Sequence, residues 1–159
     1  MNGKPAALSR RMLLALAALA LAVALAGRPA GVLEFSPLIG LCVCAALEMR
    51  SRWLAPFAIA AGLTVDALVL TPRAGGAVMA AATALWLVLR VRRRVAPGGA
   101  LGCALLGAAA GLFARAGVAL FCRLAEVPFA PGPAFYLAGP PVDGLCAGLI
   151  ARFWWSREA

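Results

Sequence analysis

Three ionisable residues stand inside otherwise apolar runs: Asp66, Arg115 and Asp143. Two carboxylates and a guanidinium in such surroundings could hold a substrate, pass an ion, or pair with one another. Each is costly in hydrocarbon, by about 2.5–3.5 kcal/mol at a helix centre on insertion scales. The rest of the chemical inventory is thin. There is no histidine among the 159 residues, so a nucleophile–base pair lacks its usual base and a proton relay its usual carrier. Cys42, Cys44, Cys103, Cys122 and Cys146 form no C-x-x-C pair and all fall in apolar runs. They read as small apolar core residues rather than metal ligands. No glycine-rich phosphate loop is followed by lysine. Asp66 and Asp143 could serve as paired acids, but carboxylate pairs recur in structural roles too. The expectation is a non-enzyme with no cofactor and no metal.

The elements that must position these residues follow from composition. Hydrophobic residues make up 64% of the chain, charged residues 13%, and the mean hydropathy is +0.95. Soluble domains are nearer half apolar and a quarter charged, and a soluble chain this small has too much surface to hide the excess. Six apolar stretches nearly exhaust the length: about Met12–Gly27, Leu33–Leu47, Trp53–Thr71, Gly75–Leu89, Gly98–Cys122 and Ala134–Trp155. Spanning helices need about 17–25 residues, whereas barrel strands alternate over about 10. The predicted fold is all-α: one polytopic membrane domain over residues 1–159, with six transmembrane helices joined by short connections.

The charges give the orientation. Lys4, Arg10, Arg11, Arg50, Arg52, Arg90, Arg92, Arg93, Arg94, Arg152 and Arg157 fall on one set of alternating segments, and only Arg28, Arg73 and Arg123 on the other. That bias, repeated loop by loop, predicts both termini in the cytoplasm and a bacterial inner-membrane location. The net charge of +9 is therefore a matter of topology. Nucleic-acid binding needs an exposed basic surface and is not expected. The first stretch, with its basic start and Ala24-Leu25-Ala26, also has the outline of a signal peptide, although alanine is frequent enough here to supply that tripeptide freely. Trp53, Trp86, Trp154 and Trp155 all fall near predicted cytoplasmic ends, where an interfacial aromatic belt accounts for them.

At about 1.5 Å per residue, Asp66 lies about 8 Å, Arg115 about 10 Å and Asp143 about 14 Å below the outer ends of their spans. All three share the outer half of the membrane, so Arg115 is expected to pair with Asp66, Asp143 or both. A structural pair that fixes helix register is favoured over a substrate or ion site. Gly139-Pro140-Pro141 breaks the last span, because proline removes helix hydrogen bonds. The helix is expected to kink or restart near Val142, as a pocket wall or simply as a late start. The small-residue spacings Ala18/Ala22/Ala26, Gly107/Gly111 and Gly144/Gly148 permit close helix approach.

The segment Trp53–Val95 reads WLAPFAIAAGLTVDALVLTPRAGGAVMAAATALWLVLRVRRRV. It resembles the rod-shape-determining membrane protein MreD family, which carries a G-L-x-x-D-x-x-x-x-x-P pattern at a helix end. A glycine, an apolar helix and a basic cytoplasmic loop follow. Gly62, Leu63, Asp66 and Pro72 match that spacing, with Gly75 one place later than usual. Physically, Asp66 could accept hydrogen bonds from the Thr71–Gly75 turn or pair across the bundle, while Pro72 and the glycines tighten the turn.

The resemblance implies a non-enzymatic part of the bacterial elongation machinery that supports lateral peptidoglycan synthesis and rod shape. Its partners would be an MreC-like protein and, through it, a RodA-type glycosyltransferase, a penicillin-binding transpeptidase and MreB filaments. The family is thought to resemble the substrate-capture subunits of energy-coupling-factor vitamin transporters, which makes such a subunit the main alternative. A vitamin binder would need convergent polar groups near the outer face, supplied here by Asp66, Arg115, Tyr136 and Asp143. A small ion-coupled transporter is the third possibility.

Overall fold

The computed structural model describes residues 15, 17–22, 24, 35–48, 51–69, 75–92 and 99–155. The described residues are all-helical, without strands. Six helices are delimited: α1 Ser36–Glu48, α2 Ser51–Val69, α3 Gly76–Arg92, α4 Gly99–Leu124, α5 Pro133–Leu137 and α6 Gly139–Trp155. Residues 17–22 are also helical, with Ala18 and Ala22 buried; most of the predicted first span, Pro72 and the predicted terminal segments lie outside the described residues.

Alanine and leucine, strong helix formers, fill these elements, and on α3 and α4 most inward positions are small. Along α4 the buried side is mostly a helical repeat of small residues, Cys103, Gly107, Ala110, Gly111, Ala114, Val118 and Cys122, joined by Leu106 and Arg115. Leu101, Leu105, Leu112, Phe113 and Leu120 stand outward. Helix α3 repeats the arrangement, burying Ala77, Ala80, Ala81 and Ala84 while Trp86 is exposed. On these two helices small residues dominate the inward face and large apolar ones the outward face.

Helix α1 is the exception that explains the layout. Every residue from Phe35 to Ala46 is buried, as expected of a helix that is apolar on all sides. It is the central helix, in contact with α2, α3, α4 and α6. Its 13 residues make about 20 Å of helix, short of a hydrocarbon core of about 30 Å. Among the described residues, two elements are long and apolar enough to cross a membrane, Gly99–Leu124 and Pro133–Phe153.

Close approach sets the register. A Cβ on Gly40 would meet the Ala147 backbone at 3.2 Å, one on Gly144 the Ala104 carbonyl at 2.6 Å, and one on Gly148 the Ala100 carbonyl at 3.2 Å. Thus α6 runs parallel to α1 and antiparallel to α4, with backbones nearly touching. Gly107 faces Ala147 and Gly111 faces Asp143, so the Gly107/Gly111 and Gly144/Gly148 spacings meet each other across one helix pair.

The break in the last expected span is real but earlier than Val142. Helix α5 closes at Leu137, Ala138 turns, and α6 begins at Gly139. Pro140 and Pro141 therefore occupy the first turn of α6, where amides have no intrahelical partner and proline is tolerated. The first described cross-turn bond there is Val142 N–H to the Ala138 carbonyl, 3.4 Å. At the opposite end of the bundle an Arg92 guanidinium N–H donates to the Ala46 carbonyl, satisfying one of the open carbonyls at the end of α1.

Candidate functional site

Arg115 and Asp143 form a fully buried ion pair, each at 0% exposure. Arg115 Nη1 donates to Asp143 Oδ2 and Nη2 donates to Oδ1 at 3.3 Å, a two-point fork that suits a planar guanidinium. The Ser36 hydroxyl donates to Asp143 Oδ1 at 2.5 Å. Three helices, α1, α4 and α6, thus meet at one carboxylate.

The room for these groups comes from glycine. Gly111 precedes Arg115 by four residues and Gly139 precedes Asp143 by four, so each glycine shares a helix face with its own charged residue. The occupancy is crossed: a Cβ on Gly111 would collide with the Asp143 carboxylate, and one on Gly139 with the Arg115 guanidinium. Each charged head lies over the partner helix's glycine. That reciprocity needs an antiparallel α4–α6 pair in one register only.

An aromatic roof closes the pair from the loop side. Arg115 Cζ lies 5.0 Å from the Phe135 ring centroid, within cation–π range. Phe129 and Tyr136 pack edge-on against Phe135, at 5.5 and 5.1 Å between centroids. Phe135 belongs to α5, so the short helix before the break carries the roof, and Val127 and Phe129 fasten the preceding loop to the core.

Asp66 has a different assignment. Its Oδ1 accepts from Ala77 N–H at 3.1 Å and its Oδ2 from Val78 N–H at 3.2 Å. Both donors belong to the first turn of α3, where amides are unpaired and the helix dipole favours an anion. Of the three residues expected to cluster, Arg115 and Asp143 come together and Asp66 caps α3 across the α2–α3 hairpin. Gly62 and Gly75 serve the same hairpin: Gly62 lies against α3, and Gly75 adopts φ +98° just before it, a conformation natural only to glycine.

Ser36, Phe135, Gly111 and Gly139 belong to the site although the spacing argument did not single them out for it. The glycines had a readable signal, since each stands one helical turn before a charge set in an apolar run. Ser36 had a misleading one: a serine before proline at a helix start suggests a local cap, whereas its hydroxyl donates across the bundle. All five cysteines are thiols, four of them buried, and no cluster of potential metal ligands occurs among the described residues. The Arg115–Asp143 arrangement neutralises two charges and joins three helices. It presents no acid, base or nucleophile to solvent.

Comparison with known proteins leaves the site to be read from its own geometry: no family profile, curated protein or solved structure matches the chain.

Proposed function

We propose that this chain is a multi-pass bacterial inner-membrane protein of the MreD type, a non-enzymatic scaffold of the cell-elongation machinery. The observation that carries the reading is where the polar groups go. Asp143, Arg115 and Ser36 bond to one another, and Asp66 bonds to the α3 amides. Much of the outward face of α4 and α6 is large and apolar, including Leu105, Leu112, Phe113, Leu145, Leu149 and Phe153. Such faces suit lipid and partner helices, and small residues inside suit helix packing in lipid.

Six crossings with both termini in the cytoplasm fit the helices and the arginine distribution. The shortness of α1 is compatible with that plan, because an enclosed helix need not match the bilayer thickness. The Arg92–Ala46 bond brings together the ends of α1 and α3, two segments expected to finish on the inner side. The family-like residues Gly62, Asp66 and Gly75 act together in one hairpin, which supports a shared structural device. A partner set of an MreC-like protein and, through it, RodA-type glycosyltransferase, penicillin-binding transpeptidase and MreB belongs to this reading.

Affinity purification of the full chain from detergent-solubilised membranes tests it. Recovery of an MreC-like protein, with rounding of rod-shaped cells on depletion, is the expected outcome. Tight retention of a vitamin without such a partner would replace it with the transporter-subunit alternative.

A further inference from the structure

Beyond the end of α4 the charges stop. Arg123 and Glu126 are exposed, and the next charged residue after them is Asp143. The stretch between contains α5, whose Phe135 ring lies 5.0 Å from the Arg115 guanidinium. Arg123 stands about 12 Å farther along α4 than Arg115, so Phe135 is seated on the inner side of Arg123. A second measure agrees. From Arg152, in the last turn of α6, back to Gly139 is about 20 Å of helix. A hydrocarbon core is about 30 Å thick, so α6 stops short of the far boundary if Arg152 marks the near one.

The apolar exterior also runs past α6. Leu137, Pro141, Leu145, Leu149 and Phe153 are all exposed at a spacing of four. Ala138 keeps a right-handed helical backbone, φ −90° and ψ −27°, so the stripe carries through the break into α5. Leu124 and Leu137, on the two sides of the loop, are each 76% exposed, the highest values among the described large hydrophobic residues.

We propose that α5 and its adjoining loop are seated in the outer leaflet of the bilayer, with Leu124 and Leu137 in lipid and the Tyr136 hydroxyl at the headgroup boundary. The inference rests on the membrane reading above, but not on the partner set. Lipid is the occupant that the composition fits, because charge is costly at that depth and a tyrosine with an apolar body and polar tip suits the boundary. The backbone fits as well. Pro128, Pro131 and Pro133 bring no amide N–H, while Phe135 N–H bonds to the Gly132 carbonyl and Ala138 N–H to the Ala134 carbonyl, both at 3.0 Å. Few donors are left for lipid to strand.

Tyr136 is the only tyrosine in the chain, so 3-fluorotyrosine labels this position alone. Fluorine NMR of the labelled full chain in phosphatidylcholine nanodiscs tests the proposal. The resonance is expected to be lost when the discs include a phospholipid with a nitroxide at the headgroup end of its acyl chain, and to persist with a water-soluble gadolinium chelate. Loss to the chelate, with persistence beside the nitroxide lipid, would overturn the proposal and leave the membrane reading standing. Protection from the chelate only in discs that hold two chains would overturn it too, by assigning the face to a second copy. A chain recovered only outside the discs would overturn both readings.

Discussion

Gly62 of α2 stands so close to Val78 of α3 that a Cβ on the glycine would lie 2.6 Å from the Val78 Cα. The obstacle is backbone, which cannot swing aside as a flexible side chain would. Gly62→Ala is therefore expected to destabilise the protein by about 1–3 kcal/mol through overpacking. Ala82→Leu, at an exposed position of α3, is expected to stay within about 0.5 kcal/mol. Thermal unfolding in detergent measures both, and equal midpoints would remove the close-packed hairpin from the account.

The buried pair should be asymmetric under mutation. Arg115→Met alone leaves Asp143 charged in an apolar interior, and losing one partner of such a pair costs about 3–5 kcal/mol. Replacing both, as Arg115→Met with Asp143→Leu, is expected to recover most of that loss, since desolvation of both charges disappears. A double variant as unstable as the single would show that the pair contributes net stability beyond charge neutralisation.

At Asp66 the expected effect is that of a helix cap reached across a hairpin. Asp66→Ala removes the acceptor for two α3 amides and is expected to cost about 1–2 kcal/mol. Asp66→Asn keeps one acceptor and loses the charge, so a smaller loss is expected. Unfolding midpoints check the order. If an ion flux were abolished by Asp66→Asn with stability unchanged, Asp66 would be a transport residue instead.

Helix α4 ends on an unusual residue. Glu126 has φ 55°, the left-handed conformation in which glycine normally closes a helix. The surrounding bonds are those of such an ending, including Val127 N–H to the Cys122 carbonyl at 2.9 Å. Glu126→Gly is expected to stabilise the protein by about 1 kcal/mol, because a side chain is penalised in that conformation. A lower unfolding midpoint would mean that the glutamate side chain holds something the backbone geometry does not reveal.

The helices were legible in the sequence wherever apolar runs ended at glycine, proline or arginine. Residues 98–122 were expected for α4 and Gly99–Leu124 is found. The last helix restarts at Gly139 rather than near Val142, because proline in a first turn removes no intrahelical bond. Membership of the site was legible for Arg115 and Asp143, whose charge made them conspicuous. The choice between Asp66 and Asp143 as the partner of Arg115 was not, because depth along a helix does not say which helices touch. That choice lies in Gly111, Gly139, Gly144 and Gly148, whose meaning depends on facing one another.

The crossed seating of Arg115 and Asp143 has a consequence for assembly. Each helix taken alone would bring a charge into an apolar interior without its counter-charge, a costly state. Docked as an antiparallel pair, α4 and α6 enter the core as one neutral unit. A chain cut after Phe129 lacks Asp143, so it is expected to leave the α4 face around Gly111 and Arg115 unable to pack.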